Sequence, residues 1–396
     1  MSIVEFTPIV LSVCLAAGFI GALTGLGGGV IVTPVLTLLL GVDIRYAIGA
    51  SLVSVIATSS GAAAAYVRDG YSNLKIGMFL EIATTFGALF GAFLATRVPT
   101  PALSLIFGFV LLHSAWQSGR EHTGNSPGSG VEDSLAKRFE LCGTLQTGSS
   151  EEWYIARRVK AGFALMFGAG TVSGLLGIGS GALKVIAMDQ AMQLPFKVST
   201  ATSNFMIGVT AAASAGIYLS RGYIGHAGSS SRVDSRRTIA APIESQNSAA
   251  RVCSGRCSHG CTDDHQGCTR SFVRVQRMRD QQLEQIVSGL LRTGVLLAGA
   301  VVILGGALFL LRHGHEHVTY ANFAAAPAMY RRPDLIFQGM LRGQARSVIQ
   351  LGLLLLIATP VARVILCLIG FAMERDRTYV AISSIVLAVL LVGLFL

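Results

Sequence analysis

Charge is what this sequence has least of. Asp, Glu, Lys and Arg make up 13% of its 396 residues, against roughly 25% in a soluble globular domain. It also lacks any constellation for catalysis: no nucleophile paired with a base, no zincin motif, and no Gly-Lys-Ser/Thr after a glycine loop. An enzyme, a nucleotide-binding loop and a cofactor are therefore not expected. Cysteine is too sparse and too scattered for a disulfide framework, since Cys14 and Cys367 fall in apolar runs and Cys142 stands alone. No cleavable leader is evident, because Met1–Pro8 carries Glu5 and no base.

In place of charge the chain has apolar length. Hydrophobic residues account for 52%, and the mean hydropathy is +0.60. Apolar segments fall near 8–26, 30–41, 44–67, 76–96, 101–117, 161–178, 181–194, 198–220, 288–311, 347–371 and 378–396. Most approach the roughly 20 residues that cross a bilayer. The expected fold class is an all-α polytopic membrane protein with the lipid bilayer as its medium. The net charge of +10 is concentrated in the loops. Residues 221–280 hold ten arginines against five acids, and Lys137, Arg138, Arg157, Arg158 and Lys160 mark an earlier loop. In a membrane protein such clusters read as positive-inside topology, not as a nucleic-acid surface.

Two glycine clusters organise the first half. Gly25-Leu26-Gly27-Gly28-Gly29 returns 152 positions later as Gly177-Ile178-Gly179-Ser180-Gly181. The same shift, with no gap, carries Gly18 onto Gly170, Ser51 onto Ser203, Thr58 onto Thr210, Tyr66 onto Tyr218, Gly70 onto Gly222 and Tyr71 onto Tyr223. This is an internal repeat. Each cluster precedes an apolar segment too short to span, so residues 19–41 and their copy read as broken or re-entrant helices. Irregular backbone at membrane depth survives only where protein or a cavity surrounds it. An odd number of crossings per copy makes the repeat inverted, the plan of many secondary transporters.

Where a helix restarts at midplane, its unpaired N–H groups and positive dipole end suit an anion. Gly27, Gly28, Gly29, Gly177, Gly179 and Gly181 are accordingly candidate binding residues, with tight helix packing as the alternative use of glycine. Ser51, Ser54 and Thr58 in copy one and Thr202, Ser203, Asn204 and Thr210 in copy two are small neutral donors. They can bind an oxyanion or bond their own helix. Lys184 is an intramembrane lysine, and so a candidate for anion binding or for pairing with Asp189. Glu81 and Asp189 are the candidates for proton coupling. Arg363, inside the apolar run after Pro360, reads as a structural partner or as snorkelling to the interface. His313, His315 and His317 read as a solvated loop.

The 152-residue shift fails after Tyr223. It places helices near 228–248 and 253–269, where the sequence is polar and contains Cys253, Cys257, Cys261 and Cys268 with His259 and His265. Three readings stand: a solvated loop, a zinc site of the membrane protein, or a slip in the reading frame of the gene. No metal site is expected.

With those residues in hand, 1–224 resembles the TauE/SafE sulfite-exporter family of bacterial membrane permeases. The resemblance rests on Gly21–Pro34, Ala50-Ser51-Leu52 and Tyr66 to Tyr71, then on Ser173–Gly179 and Ala201-Thr202-Ser203-Asn204. Ser180 and Ile186 depart from the family's Gly and Pro, and the closing helices of the second copy are not in place. The resemblance implies transport of sulfite, sulfonates or related organosulfur anions, coupled to protons. Residues 283–396 are similar to a family of small uncharacterised bacterial membrane proteins through Leu291–Val295, Leu353–Arg363 and Glu374-Arg375-Asp376. That likeness implies association with such permeases and no activity.

The expected organisation is therefore permease repeat one at 1–117, a cytoplasmic loop at 118–160 and an incomplete repeat two at 161–224. A polar segment at 225–282 and a three-helix module at 283–396 complete the chain. The expected function is a secondary transporter, an exporter of a small organosulfur anion, in the bacterial cytoplasmic membrane. Homo-oligomers are allowed and nucleic acid is not expected. The alternative is a non-transporting membrane scaffold, sensor or accessory subunit.

Overall fold

In the computed structural model, residues 3–25, 27–118, 133–147, 150–224, 268–313, 327, 330 and 332–395 are described. Seven of the described helices are long and apolar enough to cross a membrane, so the protein is an all-α polytopic membrane protein. Helix α1 (Ile3–Thr24) ends at two residues with positive φ, Gly25 at 71° and Gly27 at 79°. Only glycine adopts such angles without strain. The chain restarts as α2 (Gly29–Pro34), continues through a π-helical turn (Val35–Leu39), and enters α3 (Ile44–Arg68). Asp43 caps α3 by accepting from Arg45 N at 2.9 Å. Next come α4 (Leu74–Ala95), capped by Asn73 accepting from Ile76 N, and α5 (Thr100–Ser118).

After α6 (Ser134–Arg138) and the strands β1 (Cys142–Thr147) and β2 (Ser150–Ile155), the second copy repeats this course. It consists of α7 (Val159–Leu176), α8 (Gly181–Ile186), a π-helical turn (Ala187–Ala191) and α9 (Phe196–Ser220). The end of α7 and both ends of α8, its π turn and α9 lie 152 residues after their counterparts. The positive angles recur as well, at Gly177 (67°), Gly179 (77°) and Gly222 (75°, matching 71° at Gly70). Ile186 replaces Pro34 in the second copy, yet the π turn is kept. Proline is therefore not its cause.

The two copies are inverted. Gly49, near the start of α3, lies against the Tyr223 carbonyl just past the end of α9, where an added Cβ would meet that oxygen at 2.2 Å. Tyr66 and Tyr71, at the other end of α3, share a cavity with Phe196, Lys197 and Thr200 at the start of α9. Helices α3 and α9 thus run antiparallel, although each is the image of the other. Repeat one then lends α4 to repeat two: α4 runs parallel to α7, with Gly87 and Gly91 against Phe167 and Thr171, and Gly170 and Gly174 against Thr84 and Ala88. Small residues four apart on both helices bring the backbones into contact, the usual means of holding helices in lipid.

The connection read as a plain polar loop contains the β1–β2 hairpin, paired from Cys142–Ile155 to Thr147–Ser150. It is docked, not free. Asn73 Nδ2 donates to the Cys142 carbonyl and to the Tyr154 hydroxyl, both at 3.1 Å. Lys75 Nζ meets Glu140 at 2.8 Å. Alternating hydrophobicity over six residues is too short a signal to have announced this hairpin among basic and glycine-rich neighbours.

The C-terminal helices are α10 (Cys268–His313), α11 (Pro333–Leu341), α12 (Ala345–Met373) and α13 (Arg377–Phe395). They do not stand apart from the repeats. Ser288 on α10 donates to the Ala64 carbonyl of α3 at 2.7 Å, and Tyr379 Oη donates to the Phe139 carbonyl at 2.6 Å. Gly216 on α9 packs on the Gly393 backbone of α13. The polar residues 225–267, with Cys253, Cys257, Cys261, His259 and His265, lie outside the described residues, as do His315 and His317.

Candidate anion site at the joint of the two repeats

The two breaks meet each other. Ser51 Oγ donates to the Gly177 carbonyl at 2.8 Å, and its counterpart Ser203 Oγ donates to the Gly25 carbonyl at 3.3 Å and lies 3.4 Å from that of Gly181. Gly29 packs on Ser51, Val55 and Ile178; Gly27 packs on Ile207, and Gly179 on Val55 and Ile207. Gly28 instead rests on the Ala17 carbonyl within repeat one. Val55 and Ile207 are themselves repeat counterparts, so a small apolar plug fills the centre of the joint.

Thr58 bonds the Ser54 and Val55 carbonyls of its own helix, whereas Thr202 and Asn204 reach across the repeats. Thr202 Oγ1 accepts from Asn73 N at 3.2 Å. Asn204 Nδ2 donates to the Ala22 carbonyl at 3.4 Å and to the Thr200 carbonyl at 3.3 Å, while its Oδ1 has no hydrogen-bond partner. In this conformation Ser51, Ser203 and Asn204 spend their donors on carbonyls that the helix breaks leave open.

Charge gathers one layer away, on the buried face of α9. Lys184 and Glu81 are both fully buried. Lys184 Nζ donates to Thr210 Oγ1 at 2.5 Å, and Thr210 Oγ1 stands 2.8 Å from Glu81 Oε1. The hydroxyl accepts from the ammonium and passes its own proton toward the carboxylate. One expectation changes here. Lys184 turns to Thr210 and Glu81, whereas Asp189 lies in the partly exposed π turn. Glu81 lies in the core, because the glycine-tight α4–α7 contact carries α4 against α9.

Arg363 also moves from its expected place. It is fully buried, so it does not snorkel, and its guanidinium carbon lies 4.6 Å from the centre of the Phe205 ring on α9. Lys184 and Arg363 are the two cations whose fields reach Glu81. Nothing in the linear sequence brings position 363 to position 205.

The pseudo-twofold is broken in one respect. A cavity of about 250 Å³ is lined by Leu23, Tyr66, Tyr71, Phe196, Lys197 and Thr200. The counterparts at the other end of the joint are Leu175, Tyr218, Tyr223, Ile44, Arg45 and Ile48. Of these, Leu175, Tyr218, Ile44 and Ile48 are buried. Tyr218 Oη donates to the Gly174 carbonyl at 2.5 Å, whereas Tyr66 Oη, its counterpart, reaches the Ala22 carbonyl only at 3.3 Å. One end of the joint is loose and the other is sealed.

Comparison with known proteins agrees with this architecture. Residues 10–229 match the family model for the sulfite exporter TauE/SafE, and residues 287–395 match one described as protein of unknown function (DUF1634). The chain is 30% identical over 203 residues to the probable membrane transporter protein YunE of Bacillus subtilis, covering 49% of this chain and 71% of that one. It is 30% identical over 208 residues to the probable membrane transporter protein YdhB of the same organism, covering 52% and 75%. No solved structure matches the chain. An inverted pair of glycine-broken helices, buried charges at their joint and relatives named as transporters lead to one conclusion: this chain belongs to the TauE/SafE sulfite exporter family of membrane transporters.

Proposed function

We propose that the protein exports sulfite, a sulfonate or a related organosulfur anion across the bacterial cytoplasmic membrane, coupled to protons. The observation that carries this reading is the buried Lys184–Thr210–Glu81 chain beside the second helix break. An ammonium at membrane depth attracts an anion, and a carboxylate linked to it through one hydroxyl couples that attraction to a proton. Protonating Glu81 frees Lys184 for the anion; losing the proton restores the internal pair and releases it. The glycine breaks at Gly27–Gly29 and Gly177–Gly181, with Ser51 and Thr202–Asn204, form the surface along which the repeats part.

Alternating access follows from the broken symmetry. Rocking one repeat on the other exchanges the loose end for the sealed end. The Ser51–Gly177 and Ser203–Gly25 bonds are the contacts that the motion stretches. Their modest individual strength, about 1 kcal/mol each, suits a joint that opens in every cycle.

The test is flux in proteoliposomes. Wild-type protein is expected to move radiolabelled sulfite faster when a pH gradient is imposed. The Glu81→Gln variant is expected to retain sulfite exchange and lose the response to the gradient. Gradient-driven flux that is unchanged in Glu81→Gln would remove Glu81 from the coupling. No saturable flux of sulfite or any sulfonate by the wild type would remove the substrate class.

A further inference from the structure

Arg363 belongs to α12, in the stretch that matches the family of unknown function, yet its guanidinium stands inside the transporter portion of the bundle. Gly208 on α9 makes room for it. A Cβ at Gly208 would lie 2.8 Å from Arg363 Nη2 and 2.8 Å from Ser59 Oγ, with Ser60 Oγ at 3.6 Å. Isoleucine occupies the counterpart position in the first copy, at Ile56. Helix α12 lies against both α3 and α9, and the space for the guanidinium is on the α9 side.

Among the described residues, Nε, Nη1 and Nη2 of Arg363 all lack a hydrogen-bond partner, and so do Ser60 Oγ and Glu81 Oε2. A guanidinium carries five N–H donors in a planar fork. The Phe205 ring offsets part of the charge but offers little to those donors. Arginines kept only for structure have their N–H groups bonded, because an unmet buried donor is costly. Lys184 and Arg363 are two buried basic side chains near one buried carboxyl group, Glu81.

We propose that Arg363 is an oxyanion-binding residue that the C-terminal helices insert into the transporter, its fork taking two oxygens of a small oxyanion side by side. The Ser60 hydroxyl stands ready beside it, and Lys184 supplies the second positive charge. This rests on the reading of the chain as an anion transporter, and it names the group that holds the anion. The C-terminal helices then complete the binding site instead of merely accompanying it.

The test is equilibrium binding to the purified full-length chain in detergent, with sulfite, methanesulfonate, sulfate and phosphate as probes. Wild type is expected to bind at least one of them saturably. Arg363→Gln is expected to weaken that binding by about a hundredfold, since a charge-assisted bidentate pair is lost. Arg363→Lys, which keeps charge and loses the fork, is expected to weaken it about tenfold. Should Arg363→Gln fail to elute as a single species, Arg363→Lys decides. Wild-type affinity in either variant overturns the proposal, as does a wild type that binds none of the four anions. Restoration of wild-type affinity in Glu81→Gln/Arg363→Gln also overturns it, because Arg363 would then be only a counter-ion. Arg363-dependent binding of sulfate or phosphate alone sustains the proposal while removing the organosulfur substrate.

Discussion

Lys184 and Glu81 are beyond the reach of water, so each depends on the other through Thr210. Removing the lysine takes from Glu81 the cation linked to it through Thr210, and breaking a buried pair in this way costs on the order of 3–5 kcal/mol. Lys184→Met is therefore expected to lower thermal stability in detergent markedly, and Lys184→Met/Glu81→Gln to recover most of the loss. A double variant no more stable than the single would show that the two charges are not coupled. The sequence marks Lys184 as costly and Glu81 as a proton-coupling candidate from their apolar surroundings alone. It leaves Lys184 with Asp189 as its nearest acid, because Glu81 lies 103 positions away and meets it only after α4 crosses to the second copy.

At the scale of elements, glycine decides how closely helices approach. A Cβ on Gly91 would meet the Thr171 carbonyl at 2.0 Å, and one on Gly174 would meet the Ala88 carbonyl at 2.0 Å. Backbone cannot yield as a flexible side chain does. Gly91→Ala and Gly174→Ala are expected to abolish a monodisperse peak in size-exclusion chromatography, whereas alanine at Gly61, where nothing lies within 4 Å, leaves it intact. The joint between α3 and α9 gives a second prediction, in a background without native cysteines. Phe196→Cys, on the cavity wall, is expected to react with a small water-soluble maleimide, and its buried counterpart Ile44→Cys to react far more slowly. Equal labelling would mean that both ends of the joint are equally open. The repeat itself is legible because it is written in the order of residues. The looseness of one end is not, since both ends carry nearly the same sequence.

The whole molecule is two repeats, the first lending α4 to the second, wrapped by helices from a second family. Helix α4 lies along α7 and α9, and the C-terminal α10 lies along α3, the first copy's counterpart of α9. Helix α9 leaves the bundle at the Gly49 end, while Ser288 enters it at the Ala64 end. The described chain thus stops after α9 at one end of the bundle and meets it again along α10 at the other. The repeat register calls for two apolar segments in between, and two crossings would return the chain to the end where α9 left it. Sequencing the gene across codons 220–285 and translating all three frames is expected to reveal those two segments in a shifted frame. The C-terminal helices would then begin as a separate polypeptide. An intact frame with no apolar alternative would make the arginine- and cysteine-rich stretch a true connection.

The membrane character and the repeat follow from sequence because they depend on local quantities: hydropathy summed over a span, glycines that accept positive φ without strain, and one constant offset. The element boundaries of the second copy track that offset for the same reason. That the copies are inverted shows only in the antiparallel packing of α3 on α9. What tertiary structure decided is which distant groups share a dry, low-dielectric space. Glu81, Lys184, Thr210 and Arg363 come from four helices, and their partnership arises from glycine-tight crossings and from the room left at Gly208. Burial converts such groups from scattered charges into a coupled set, because the field of each falls off slowly where water is excluded. No linear pattern encodes that proximity.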